Sequence, residues 1–199
     1  ITGASDLTVT LANAGVSLPA TTLTSGRNLA VTTVGAISQN GILTIAGTSS
    51  FNAGANAITL TQANSFTGAV TLLNSGANNV ALTNALPLLL ATSSVGSGTL
   101  ALTTNGSMTQ SGTLTQAGAG AITITQNASG ADVLLGSQLN NLSGAITFAG
   151  TLGNIRDVSL RNINSGATLP TNLASLTSLR NLTLQFDNGG IAFPALTLH

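Results

Sequence analysis

The sequence predicts an all-β solenoid, and three observations carry that reading. First, residues 28–47 (NLAVTTVGAISQNGILTIAG) return at residues 99–118 (TLALTTNGSMTQSGTLTQAG) without a gap, with 11 of 20 positions identical. Second, short apolar–polar–apolar triplets recur along the whole chain, separated by clusters of Gly, Asn and Ser. Third, helix formers of the charged kind are missing: the 199 residues hold four Arg, four Asp, one His and no Lys or Glu. A typical soluble domain is about one quarter charged.

The triplets are Leu29/Val31, Leu43/Ile45, Ile58/Leu60, Val70/Leu72, Val80/Leu82, Leu100/Leu102, Ile122/Ile124, Val133/Leu135, Ile146/Phe148, Val158/Leu160 and Leu182/Leu184. Period-two alternation sends each aliphatic pair to one face of a strand and the Thr or Ala between them to the other. The intervening stretches (NAGANA, NSGANN, SVGSG, QNASGAD) supply the positive φ and the side-chain-to-backbone bonds of tight turns. The glycine-rich stretch AGAGAI (117–122) belongs with these turns, because it lacks the Lys of a phosphate-binding loop.

A longer period lies above the triplets. Leu29, Leu100 and Leu182 open equivalent strands in register with one another, and Leu18-Pro19, Leu86-Pro87 and Leu169-Pro170 repeat at nearly the same interval. FTGAVTLLNSG (66–76) returns as LSGAITFAGTLG (142–153). A coil that cannot bury its apolar face alone must stack on its neighbours, so self-similarity with drifting length reads as a solenoid. With two or three strands per coil, about eight coils stacked at ~4.8 Å give a rod of roughly 40 Å. Residues 1–199 therefore form a single solenoid segment, read as an internal fragment of a longer repeat protein, with imperfect repeats starting near 29, 100 and 182. The stretch LASLTSLRNLTLQFDN (173–188) has leucine-rich-repeat spacing at Leu173, Leu176, Leu179, Leu182 and Leu184, but it occurs once and reads as a local variant of the same solenoid.

Composition excludes several classes. There is no cysteine, hence no disulfide framework or Cys-ligated zinc. The neutral surface offers no electrostatic footprint for nucleic acid, and ALPLLLA (85–91) is far shorter than the ~20 residues of a membrane helix. A transmembrane barrel would carry aromatic girdles, and the chain has no Trp or Tyr. Catalysis needs a positioned acid, base, nucleophile or metal. Arg156, Asp157 and Arg161 are the nearest approach to the acidic and basic cluster of a carbohydrate-active β-helix enzyme. Val158 and Leu160 claim the inward face of that strand, so Asp157, Ser159 and Arg161 are expected outward as solvated ion-pairing groups. His199 is terminal and reads as the stub of a purification tag. The expectation is no catalytic, cofactor-binding or metal site, and no enzyme activity. The sequons at Asn105, Asn127, Asn141 and Asn181 are what chance produces in so Asn-rich a chain. The pairs Thr8/Thr10, Thr59/Thr61 and Thr123/Thr125 raise ice binding as an alternative, although Ala30/Thr32, Thr44/Ala46, Thr71/Leu73 and Thr183/Gln185 interrupt the array.

Residues 35–85 (GAISQNGILTIAGTSSFNAGANAITLTQANSFTGAVTLLNSGANNVALTNA) resemble the repeats of filamentous-haemagglutinin-like exoproteins, very large bacterial adhesins secreted by the two-partner route. Autotransporter passenger repeats are similar in composition. The resemblance implies a right-handed parallel β-helix. It also implies a role as a structural shaft of a secreted or cell-surface adhesin in attachment, cell–cell contact or biofilm. The expected partners are neighbouring repeats of the same polypeptide and an unidentified cell-surface or carbohydrate receptor. Unpaired coil ends would further favour end-to-end self-association.

Overall fold

The structure, a computed structural model, describes residues 1–198; His199 lies outside the described residues. The chain winds as a β-solenoid of about eight turns. Every strand pairing is parallel, and the strands form a ten-stranded and a twelve-stranded sheet on opposite sides of one aliphatic core. No α-helix occurs among the described residues; Leu152–Asn154 and Leu173–Ser175 are single 3₁₀ turns.

Ten of the eleven aliphatic pairs read from the sequence are fully buried, and the eleventh, Leu182/Leu184, packs half-buried against the same cluster. Register keeps like above like: Val80, Leu100, Ile122 and Ile146 stack in one column, and Leu82, Leu102, Ile124 and Phe148 in the next. Each inward side chain thus covers the one beneath it, which no single coil achieves alone. Coils take 20–22 residues as far as Ile122 (Leu7 beside Leu29, Leu29 beside Ser49, Leu100 beside Ile122). Beyond that they take 24–26 (Val133 beside Val158, Thr115 beside Asn141).

Several coils place one continuous strand on one sheet and a pair of short strands on the other. In the first coils the continuous strands are Leu7–Leu11, Leu29–Thr33 and Ser49–Asn52, on the twelve-stranded sheet. The short pairs, Val16–Leu18 with Thr21–Leu23 and Ile37–Gln39 with Leu43–Ile45, lie on the ten-stranded sheet. Strand Ile58–Phe66 reverses this arrangement. It runs unbroken where the two coils before it bend, joining one column at Ile58 and the other at Ser65 and Phe66. From there Val80–Asn84, Leu100–Thr104 and Ile122–Gln126 are continuous on the ten-stranded sheet. The paired short strands, Leu88–Leu90 with Ser93–Val95 and Met108–Gln110 with Leu114–Gln116, move to the twelve-stranded sheet. Phe51 and Phe66 meet edge-to-face across the core at this changeover, with centroids 5.8 Å apart.

The sequence echo acquires a geometric meaning here. From Leu29 the register climbs through Ser49 and Val70 to Leu90, three coils, and Leu100 lies a further half turn on, across the core. Leu29 and Leu100 begin matching strands of the coil pattern but sit on opposite sheets. Leu182 stands above Val158, Val133, Met108 and Leu88, on the same sheet as Leu29 but in another column. The repeat is about three and a half coils long, so its copies do not stack face on face.

What the echo preserves is a corner. Gln39 and Asn64 exchange a pair of amide hydrogen bonds, Gln39 Nε2 to Asn64 Oδ1 at 2.8 Å and Asn64 Nδ2 to Gln39 Oε1 at 2.9 Å. Asn64 Oδ1 also accepts from Leu43 N, while Nδ2 donates to the carbonyls of Leu60 and Thr83. Gln110 and Asn140 repeat every element: both amide bonds at 3.0 Å, Leu114 N to Oδ1, and Nδ2 to the carbonyls of Leu135 and Arg161. Gln39 Nε2 reaches Gly41 O and Gln110 Nε2 reaches Gly112 O. The shared lettering Gln-x-Gly-x-Leu is therefore one half of a buried polar joint spanning three coils. A second device recurs beside it. Asn84, Asn162 and Asn172 each clasp both the N–H and the C=O of a residue one coil below, namely Phe66, Leu142 and Phe148. Where the backbone turns too sharply to pair with its neighbour, a side-chain amide takes the place of the missing peptide group.

Asn64 and Asn140 are both wholly buried; truncating either strands the buried N–H of Leu43 or Leu114 and removes the partner of the Gln39 or Gln110 Oε1. Asn64→Ala and Asn140→Ala should each lower unfolding stability by about 2–4 kcal/mol, while Asn52→Ala, which loses one half-exposed bond to Gly54 N, should change it by less than about 1 kcal/mol. Urea unfolding followed by circular dichroism checks this; equal midpoints for all three variants would show that the buried joint is not a structural requirement.

Candidate functional site

The charged side chains are the first candidates for chemistry, and the coil geometry sorts them. Asp132, Arg156, Asp157 and Arg180 line one edge of the twelve-stranded sheet over three successive coils. Arg156 forms a bidentate pair with Asp132, Nε at 3.0 Å and Nη2 at 2.8 Å, and lies 3.8 Å from Asp157. Arg180 forms a bidentate pair with Asp157, at 3.1 and 2.6 Å. Arg161 turns away from this group and pairs with Asp187 one coil up. Val158 and Leu160 point inward, as their alternation requires, and leave Asp157, Ser159 and Arg161 on the outer face. Arg156, Asp157 and Arg161, neighbours in the sequence, therefore do not converge on one point. Each reaches for a partner in an adjacent winding.

The two acids at coil entries also have a backbone role. Asp157 Oδ1 accepts the N–H of Asn181, and Asp6 Oδ1 accepts the N–H of Asn28. Asn28 does the same for Thr48, and Asn79 for Thr99. Asp and Asn are interchangeable at this position because the task is to present one oxygen to the first amide of the strand above. Among the described residues no group of three or more His, Cys, Asp or Glu is arranged to hold a metal ion, and no helix is long and apolar enough to cross a membrane.

The glycines of AGAGAI serve packing. A Cβ on Gly120 would run into the carbonyl of Gly98 below it, and one on Gly144 into the carbonyl of Gly120. This column lets three corners close on one another, with Gln116 bonding Gly98 O, Gly120 O and Gly144 N beside it. The sequon residues Asn105, Asn127, Asn141 and Asn181 are all exposed; Asn141 accepts from Asn164, and Asn181 donates to Asp157. The leucine-rich stretch belongs to the solenoid: Leu173, Leu176 and Leu179 are buried, and Asn181–Phe186 pairs parallel with Ile155–Asn162. A groove of about 420 Å³ lies where Leu169, Pro170 and Leu173 face Ile191, Ala192 and Pro194, and no charged residue lines it.

Both sheets mix Thr with other residues at outward positions: Thr8/Thr10 lies on the twelve-stranded sheet, and Ala81 and Ala101 lie on the ten-stranded one. The interrupting pairs Ala30/Thr32, Thr71/Leu73 and Thr183/Gln185 belong to the twelve-stranded sheet, and Thr44/Ala46 lies at strand Leu43–Ile45 of the ten-stranded sheet. The strands of the ten-stranded sheet contain no charged residue.

The Arg180 hydrogen bonds hold the Asp157 carboxyl below the ordinary carboxylate range against an opposing burial cost, and Arg161 does the same for Asp187. A depressed native pKa stabilises above the unfolded value of ~3.9 and loses that contribution as pH falls through the native value. Acidification below ~3.9 should therefore loosen the last coils first. Amide exchange at Asn181–Phe186, corrected for intrinsic rate, should rise ahead of exchange in Ile58–Phe66, whose coil holds no ion pair among the described residues. Parallel loss of protection in both strands would contradict the assignment.

The sequence profile of a family described as repeats of unknown function (DUF5649) matches the chain twice, at residues 4–73 and 77–149. Each match covers about three and a half coils, the length of the structural repeat. No curated protein matches the chain, and no solved structure does.

Proposed function

The chain belongs to the DUF5649 repeat family, and from that premise we propose that it is a shaft segment of a secreted bacterial adhesin, of the filamentous-haemagglutinin-like kind, working at the cell surface without catalysis. The observation that carries this reading is the unbroken aliphatic column with every coil hydrogen-bonded in parallel to the next. Such a body is stiff along its axis and grows by adding copies of one unit, as a structural repeat segment must. The charged groups support the non-catalytic part of the reading, since each Asp–Arg pair is engaged between coils or at a strand entry. Partners in this reading are the adjoining repeats and a receptor of unspecified chemistry. Leu7–Leu11 and Asn181–Phe186 each pair with a single strand of this sequence, and in this reading adjoining repeats would stack on their other edges.

The test uses antibodies raised against the folded chain. They should label intact source cells without permeabilisation, and the purified chain should release no unsaturated uronide and no reducing sugar from acidic or neutral polysaccharides. Labelling only after lysis would overturn the surface assignment. Product formation that survives Asp157→Asn would still overturn the non-catalytic reading, and loss of that product in the same variant would point to the Arg156–Asp157 edge as an active site.

A further inference from the structure

An asparagine followed by glycine can close on itself, because with no Cβ in the way the glycine nitrogen reaches the asparagine side-chain carbonyl carbon. The chain holds three such dipeptides, Asn40-Gly41, Asn105-Gly106 and Asn188-Gly189. All three asparagines are exposed, so access to water does not separate them. The fold does. Asn40 N donates to Leu18 O, and Gly41 is pressed against the backbone of Ala20 one coil below. Asn105 N donates to Asn84 O, and Gly106 is pressed against the Pro87 ring in the same way. Ring closure must swing the Asn–Gly peptide, so at either corner it would have to lift one coil off its neighbour. Asn188 stands beyond the last backbone bond to the coil below, Asp187 N to Asn162 O, and among the described residues 188–198 make no backbone hydrogen bond. A Cβ on Gly189 would meet the carbonyls of Ala167 and Ser165 at 3.7 and 3.8 Å, ordinary contacts, and one on Gly190 would meet open space.

The Asn188 side chain is also a tether. Its Nδ2 donates to Ile163 O at 2.6 Å, the one hydrogen bond between 188–198 and the coils among the described residues. Beyond it, Ile191 and Pro194 face Leu169 and Leu173 across the groove, and Leu196 packs against the core cluster. We propose that Asn188 is a self-modification site whose conversion releases this segment from the solenoid. Gly189 N bonds to Asn188 Cγ, the Cγ–Nδ2 bond breaks, and ammonia leaves with the proton that Gly189 gives up. Water then opens the cyclic imide at one of its two carbonyls. The product is aspartate or, with the backbone rerouted through the side chain, isoaspartate. Either product puts a carboxylate, which only accepts, where an amide N–H donated to Ile163 O. It also sets a second negative charge beside Asp187, whose carboxylate is already paired with Arg161. The tether becomes a repulsion.

The other two dipeptides adjoin joints that an extra backbone atom would disturb. Asn40 follows Gln39 of the Gln39–Asn64 joint, and Asn105 follows the wholly buried Thr104, whose hydroxyl donates to Leu86 O. These are the corners the stacked coils hold still. The step is slow and irreversible, so it marks the age of the chain and uncovers the apolar groove as it proceeds. The inference does not rest on the shaft reading, since it concerns the chemistry of one peptide bond in the folded chain.

The test incubates the purified, unmodified chain in mildly alkaline buffer, folded and in concentrated urea. Peptide mapping by tandem mass spectrometry then follows the Asn-to-Asp mass change and isoaspartate at each position. In the folded chain Asn188 should convert first. Asn40 and Asn105 should run about tenfold slower or more, since each must first break a backbone hydrogen bond and open its corner. In urea the three rates should converge. Folded-state conversion of Asn40 or Asn105 as fast as Asn188, or an Asn188 that stays intact while the unfolded chain reacts, would overturn the site. The release is read separately on Asn188→Asp, checked for folding by circular dichroism. Its Ile191 and Leu196 methyl resonances should move to free-chain positions, whereas Asn188→Gln, which keeps an amide donor and lengthens the path to ring closure, should hold them nearer their native positions. Native methyl shifts in Asn188→Asp would overturn the release.

Discussion

A polypeptide that winds on itself must turn several times in every coil, and at each turn its peptide groups fall out of line with those above and below. In the interior of a stack there is no water to accept them, and an unpaired buried N–H or C=O costs about 1–3 kcal/mol. The architecture depends on solving this at every level. Here the solution is the carboxamide, which carries the same donor and acceptor as the peptide itself. Asn84, Asn162 and Asn172 each complete the pairing of one residue below. Asn64 and Asn140, joined to Gln39 and Gln110, bind three levels at once. The aliphatic columns close over the interior beside these joints, and the buried side-chain oxygens left without a partner among the described residues are Ser49 Oγ and Gln126 Oε1.

The inward faces were legible because burial is written in a period of two, and that period survives every change of coil length. Leu29/Val31 and Ile122/Ile124 differ in sheet, coil and residue type, and both obey it. The buried amides were not legible. Asn and Gln are common at exposed turns of this chain, and nothing in a single occurrence separates buried Asn64 from exposed Asn105. The usable signal was the repeat: Gln39, Gly41 and Leu43 recur as Gln110, Gly112 and Leu114 with the same spacing. Asn64 and Asn140 lie beyond the 20-residue echo, and their spacings from Gln39 and Gln110 differ (25 and 30 residues) because the later coil is longer.

The alternation of sides was hidden for a different reason. A linear sequence shows which residues repeat and not which side of a coil they occupy, so Leu29 and Leu100 looked like members of one column. The same limitation blurred the outer faces. Taken in chain order, the outward residues mix Thr with Leu and Gln. Sorted by sheet, the charged groups gather on one side, and the ten-stranded side is left with none. The ion-pair edge from Asp132 to Arg180 arises where coils lengthen to 24–26 residues.

A building block containing a half-integer number of windings cannot be superimposed on its successor by translation along the axis. It must also be turned through about 180°. Any loop inserted at one fixed position of every block would consequently emerge left, right, left, right, in two opposed ranks, as leaves alternate on a grass stem. Two blocks, seven windings, form the true period of such a rod. Whatever was displayed at that position would be spaced by about 34 Å along each flank.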